Sequence, residues 1–127
     1  MKRIKIITKI GEIKALIIDK NPKTASSILE ALPIEGEINK WGDEIYFEIP
    51  VSLELENSQT IINKGDIAFW PPGNAFCIFF GLTPASIDSK IKLASAVNVF
   101  AKALDDVEIL KKVKDEEKIR VELFINV

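Results

Sequence analysis

A chain of 127 residues is long enough to form one domain around its own hydrophobic core. Its 47% apolar and 28% charged residues are typical of a globular protein, and a net charge of −2 argues against a nucleic-acid partner. Histidine is absent and Cys77 is the only cysteine. An intrachain disulfide, the common zinc sites and a histidine-activated nucleophile are therefore excluded, and we expect neither a metal nor a cofactor.

The hydropathy pattern gives no sign of a membrane partner. No run approaches the ~18 apolar residues that cross a bilayer, and the first ten residues alternate charge with isoleucine, unlike a signal peptide. We therefore expect a cytoplasmic protein. Lysine outnumbers arginine by 15 to 2, which is compatible with a thermophilic source and equally with an AT-rich genome.

Alternating and β-branched runs predict a series of short strands in chain order. They fall at residues 3–8, 13–18, 34–41, 44–49, 60–62, 67–69, 76–80, 93–101 and 120–125. Gly42-Asp43 separates two of these runs by two residues, the spacing of a tight hairpin. Many short strands at this spacing favour a barrel or a sandwich, and the absence of a linker or repeat predicts one domain over residues 1–127.

Two segments predict helices between the strands. Residues 24–32 carry apolar side chains at helical spacing on one face, preceded by Pro22 and stopped by Pro33. Residues 105–113 predict a second helix with Val107, Leu110 and Val113 facing inward. Both helices could cover the open ends of a barrel.

Three segments of the chain resemble the cyclophilin family. They are ALIIDKNPKTASSILEAL (15–32), KGDIAFWPPGNAFCIFFG (64–81) and VNVFAKALDDVEILKKV (97–113), and they occur in the cyclophilin order. The segments WGDEIYF (41–47) and WPPGN (70–74) resemble, more closely, small prokaryotic cyclophilin-like proteins of uncharacterised function. The resemblance covers the chain and implies a closed eight-stranded β-barrel with two covering helices.

The same resemblance bears on catalysis, because cyclophilins isomerise prolyl bonds with an arginine, a glutamine and a histidine. Glu48 falls at the arginine, Ile78 at the glutamine and Val97 at the histidine, whereas Phe80 keeps the apolar floor of the pocket. An ionised carboxylate cannot donate a hydrogen bond to an amide nitrogen. We therefore expect a domain without the cyclophilin catalytic residues that binds a peptide or small molecule in an apolar cleft.

The candidate ligand-binding residues are Tyr46, Trp70, Asn74 and Phe80, and each has a structural alternative. The Trp70 indole either lines the cleft or plugs the barrel end. Asn74 is also the residue type that accepts a left-handed turn conformation. Phe80 is also a natural core residue, and Tyr46 could lie on a solvated strand face with Glu48.

Two other functions stay open. The cyclophilin-like superfamily includes amide-cleaving proteins, and a Glu48 with a pKa raised by burial would be the general base in an enzyme of that type. Prolyl isomerisation itself is the second alternative. A homo-oligomer is compatible with every one of these functions, since exposed strand edges often pair.

Overall fold

The computed structural model describes residues 2–124, which form a mainly β fold, as predicted. The strands are β1 (Arg3–Thr8), β2 (Gly11–Ile17), β3 (Ile34–Glu37), β4 (Asn39–Lys40), β5 (Glu44–Glu48), β6 (Gln59–Ile62), β7 (Asp66–Trp70), β8 (Ala75–Phe79), β9 (Ile91–Ala103) and β10 (Lys118–Phe124). The helices are α1 (Pro22–Ala31) and two 3₁₀ helices, Pro71–Gly73 and Val107–Lys112. The predicted last strand ended at Ile125, which lies outside the described residues.

The strands form one sheet in the order β3-β10-β1-β2-β9-β7-β8-β5-β4, with β6 paired to β9 beside this path. This order has two ends, so the predicted closed barrel is not confirmed. The two end strands nevertheless follow one another in the chain, with Ile38 alone between them. Strand β3 pairs with β10 and strand β4 pairs with β5. Residues 34–40 therefore form hydrogen bonds at both ends of the strand order.

The second predicted helix is a 3₁₀ helix rather than an α-helix. Its inward residues Val107, Leu110 and Val113 are all buried and recur every third position. A 3₁₀ helix has three residues per turn, so this spacing keeps all three on one face. The Asp106 side chain accepts a hydrogen bond from the Glu108 backbone N–H at the start of this helix. Among residues 2–124, no helix is long and apolar enough to cross a membrane.

Two separate apolar cores lie on opposite faces of the sheet. Successive side chains of a strand point to opposite faces, and β8 is buried at every position. Phe76 and Ile78 join the larger core, whereas Ala75, Cys77 and Phe79 join the smaller one. We call these the main core and the second core. The second core is completed by Ile62, Ala68, Ile91, Leu93, Val97 and Val99.

Strand β9 covers the second core because it is long enough to belong to two ladders. Its C-terminal half pairs with β2 and β7, whereas its N-terminal half pairs with β6. Gln59 of β6 lies opposite Val97, but Ile61, two residues later, lies opposite Lys92. Residues 93–96 therefore bulge out of this ladder. Bulges of this kind redirect side chains and are frequent beside functional sites.

The irregular segment between β5 and β6 is fixed by two buried asparagines. The Asn98 side chain donates to the Glu54 carbonyl and accepts from the Glu56 backbone N–H. Asn21 donates to the Val99 carbonyl and accepts from the Asn57 backbone N–H. Buried polar groups need such partners, and these bonds hold the segment against β9.

Candidate functional site

A cavity of about 240 Å³ lies between β5, β7 and the bulged part of β9. Its wall is mostly apolar and includes both tryptophans of the chain. The lining residues are Trp41, Glu44, Tyr46, Trp70, Leu93, Ala94, Ser95 and Val97. Three aromatic rings and one carboxyl group thus face a common space on the side of the sheet that carries the second core.

The alternation of β5 brings the carboxyl group into this cavity. Ile45 and Phe47 are 1% exposed and belong to the main core. Since side chains alternate, Glu44 and Tyr46 point to the opposite face, where the second core and the cavity lie. Strand β5 therefore packs into the main core through one face and places Glu44 and Tyr46 in the cavity on the other face.

The tight turn before β5 fixes the position of Glu44. Trp41 and Glu44 exchange backbone hydrogen bonds across Gly42-Asp43, which confirms the predicted hairpin. Gly42 has a φ of +59°, and a Cβ there would lie 2.8 Å from the Pro84 ring and 3.0 Å from the Leu82 carbonyl oxygen. Only glycine fits this close approach without strain.

The Trp70-Pro71-Pro72-Gly73-Asn74 turn positions the second indole. A Cβ on Gly73 would lie 2.5 Å from the Trp70 ring, so the ring packs directly over this glycine. The Trp70 Nε1 donates a hydrogen bond to Ser95 Oγ, 2.6 Å away on the β9 bulge. Tyr46 meets Trp70 edge to face, with ring centroids 6.5 Å apart. These contacts orient the indole along the wall of the cavity.

The Glu44 carboxyl group is the one unusual electrostatic feature of the site. The residue is 7% exposed, and burial raises the pKa of its carboxyl group to about 7. The nearby Cys77 thiol partly opposes this rise. Burial raises the pKa of the Cys77 thiol in turn, and the nearby Glu44 charge raises it further. Below about pH 7 both groups are therefore mainly neutral.

The structure brings together two of the four residues predicted to bind a ligand. Tyr46 and Trp70 line the cavity. Asn74 lies in the turn with φ 47° and ψ 45°, the left-handed conformation considered for it, and Phe80 is 1% exposed in the main core. Neither of these two lines the cavity, and Glu48 is exposed at the end of β5. Their ligand-binding and catalytic roles stay predictions.

The sequence analysis missed Glu44, Trp41 and the β9 residues of the wall. A signal for Glu44 was present, because it lies two residues before Tyr46 on a strand with a period of two. Nothing comparable marked Leu93, Ala94 and Ser95, since their position depends on the bulge between β6 and β9.

This fold and the matching family model define the class of the protein. The sequence model of the cyclophilin-like family matches residues 2–122, so the chain belongs to the cyclophilin-like family. The resemblance predicted from the three sequence segments is thereby confirmed. No curated protein matches the sequence.

Two solved structures are similar to this one. The solution structure of the hypothetical protein AF2241 from Archaeoglobus fulgidus has a TM-score of 0.82 and 43% sequence identity, over 95% of this chain and 93% of that chain. The structure of McbB in complex with tryptophan has a TM-score of 0.73 and 15% identity, over 94% of this chain and 44% of McbB. At that identity, the likeness to McbB shows the fold alone.

The raised pKa of Glu44 predicts how stability changes with pH. An unfolded chain releases this proton near pH 4.5, whereas the folded protein keeps it until about pH 7. Burial of Glu44 therefore lowers the free energy of unfolding as the pH rises between these values, by roughly 3 kcal/mol in total. Relative to the unmodified protein, Glu44→Gln should gain about that amount between pH 4 and pH 8, measured by urea unfolding.

Ser95→Ala is the matched control, because it changes a cavity residue that does not titrate. Its effect on the free energy of unfolding should be the same at both pH values. A Glu44→Gln difference that is also independent of pH would contradict the predicted protonation of Glu44.

Proposed function

We propose that this domain binds a small, mainly apolar molecule, or one side chain of a peptide, in the aromatic cavity. The observation that carries the proposal is that both tryptophans and Tyr46 wall one open space. A hydrogen bond to Ser95 and close packing over Gly73 hold the Trp70 ring in place there. Ligand sites are typically apolar concavities with a few polar groups, and Glu44 and Ser95 provide such groups.

The size of the cavity limits the ligand. A volume of about 240 Å³ lies below the ~300–1,000 Å³ typical of sites for drug-sized molecules. A molecule with a single ring and a short substituent fits a cavity of this volume better than a nucleotide or an extended peptide does. A ligand of this size is expected to bind with an affinity in the roughly millimolar range unless a charged contact adds to it.

Catalysis of amide chemistry is a second candidate function, and the position of Glu44 favours it. The sequence suggested Glu48 as the general base, but Glu44 is the carboxyl group in the cavity. A pKa of about 7 suits a group that must accept and release protons near neutral pH. An amide-cleaving activity that is lost in Glu44→Gln but retained in Glu48→Gln would support this function and assign it to Glu44.

Removing one wall of the cavity tests the binding proposal. With 2-phenylethanol as a neutral probe, Trp70→Ala should weaken binding about tenfold, since an aromatic contact is worth ~0.5–1.5 kcal/mol beyond its buried area. The chemical shift of the Trp41 indole N–H reports binding in both proteins. The control is Leu123→Ala, which truncates an exposed side chain of β10 and should leave the affinity unchanged. Equal affinity in all three proteins would place the probe outside the cavity.

Prolyl isomerisation is expected to proceed at the uncatalysed rate. The two arginines of the chain, Arg3 and Arg120, belong to β1 and β10, and Arg120 is paired with Glu35 and Glu122. Neither lines the cavity, which supports the view that no guanidinium acts on a prolyl amide there. An NMR exchange assay on an Ala-Pro peptide, with a cyclophilin as positive control, should give the slow background interconversion of tens of seconds or more. Clear acceleration would contradict this expectation.

A further inference from the structure

The cavity contains a carboxyl group that lacks a cationic partner. The residue Glu44 is 7% exposed, and its neighbour in the second core is the uncharged Cys77 thiol. Among the ion pairs formed by residues 2–124, none involves Glu44. Buried carboxylates are normally paired with a cation, because the loss of hydration is otherwise uncompensated. The ionised Glu44 carboxylate would therefore be stabilised by a positive charge that a ligand supplies.

The aromatic rings that line the cavity can also attract a cation. Trp41, Tyr46 and Trp70 line the same space as Glu44. The face of an aromatic ring attracts a cation, and tryptophan does so most strongly. The remaining lining residues carry no charge, so nothing else in the wall would repel or neutralise a bound cation. Carboxylate and rings together complement a positive charge attached to an apolar group.

We propose that the cavity selects an apolar amine in its ammonium form, with the ammonium group at Glu44 and the apolar part against the indole rings. This inference rests on the proposed binding function and names the ligand class for it. An ammonium with an N–H satisfies the carboxylate by a charge-assisted hydrogen bond, which is stronger than a neutral one. A carboxylic acid of the same shape would bring a second negative charge beside Glu44 and is disfavoured.

Binding of such an amine must depend on pH in a defined direction. Below about pH 7 Glu44 holds a proton in the free protein, and the ammonium must displace that proton to form the ion pair. Affinity should therefore rise with pH, by up to tenfold per unit, and level off above about pH 7. The titratable groups that face Glu44 are Tyr46 on its own strand and Cys77 on β8; the β7 and β9 residues of the wall do not titrate.

A matched set of probes separates the ligand class from binding itself. The set is 2-phenylethylamine, 2-phenylethanol and 3-phenylpropionate, which share a ring and a short chain but differ in charge. Because both tryptophans of the chain line the cavity, intrinsic fluorescence reports its occupation directly. At pH 8 the amine should bind at least tenfold more tightly than the alcohol, and the carboxylate should bind more weakly than the alcohol.

Two variants test whether Glu44 causes the preference for the amine over the alcohol. Glu44→Gln should bind amine and alcohol with affinities within about threefold of each other and should lose the rise of amine affinity with pH. Glu12→Gln, on an exposed position of β2, should retain both. Equal binding of amine and alcohol by the unmodified protein, or a preference that survives in Glu44→Gln, overturns the inference while leaving the binding function intact. Failure of all three probes to bind overturns both.

Discussion

The burial of strand β8 on both faces is the constraint on which the rest of the structure depends. An ordinary half-buried strand needs one core, but the run from Ala75 to Phe79 has no exposed side chain and therefore needs two. The interior of the sheet provides the main core. The second core must be built on the other face, and the chain does this by extending β9 past the sheet and pairing it with β6.

The cavity is a consequence of how this second cover is made. The bulge at residues 93–96 supplies Leu93, Ala94 and Ser95 to the wall of the cavity beside β5. The Trp70 hydrogen bond to Ser95 joins the bulge to the sheet. This bond and the close packing of Trp70 over Gly73 fix the indole at the wall of the cavity.

The buried Glu44 carboxyl group lowers the stability of the folded protein above its pKa. A leucine or methionine at the start of β5 would complete the second core, but the chain places a carboxyl group there and shifts its pKa by burial. Folded proteins tolerate a locally unfavourable residue mainly where function requires it. The tight fit of the Gly42-Asp43 turn against Leu82 keeps the group in place, since any outward movement of the turn would disturb this packing.

Most of the strands and the first helix could be predicted from local patterns, because period-two alternation and turn residues act over a few residues. Tyr46 and Trp70, which the sequence analysis named as candidate ligand-binding residues, line one cavity, and their binding role stays a prediction. They could not distinguish Phe80, which belongs to the main core, from a residue of the pocket floor. The partners of Asn98 and the bulge of β9 depend on contacts between segments about 30 to 40 residues apart in the chain, which no local pattern records.

The most direct test of this account is the titration of the Glu44 carboxyl carbon by NMR in the folded protein. If the second core buries this group beside an otherwise apolar cavity, its pKa should lie at about 7. A pKa at the ordinary glutamate value of 4.5 would show that the carboxyl group is hydrated. Glu44 would then not be the buried, unpaired carboxyl group from which the ligand class is inferred.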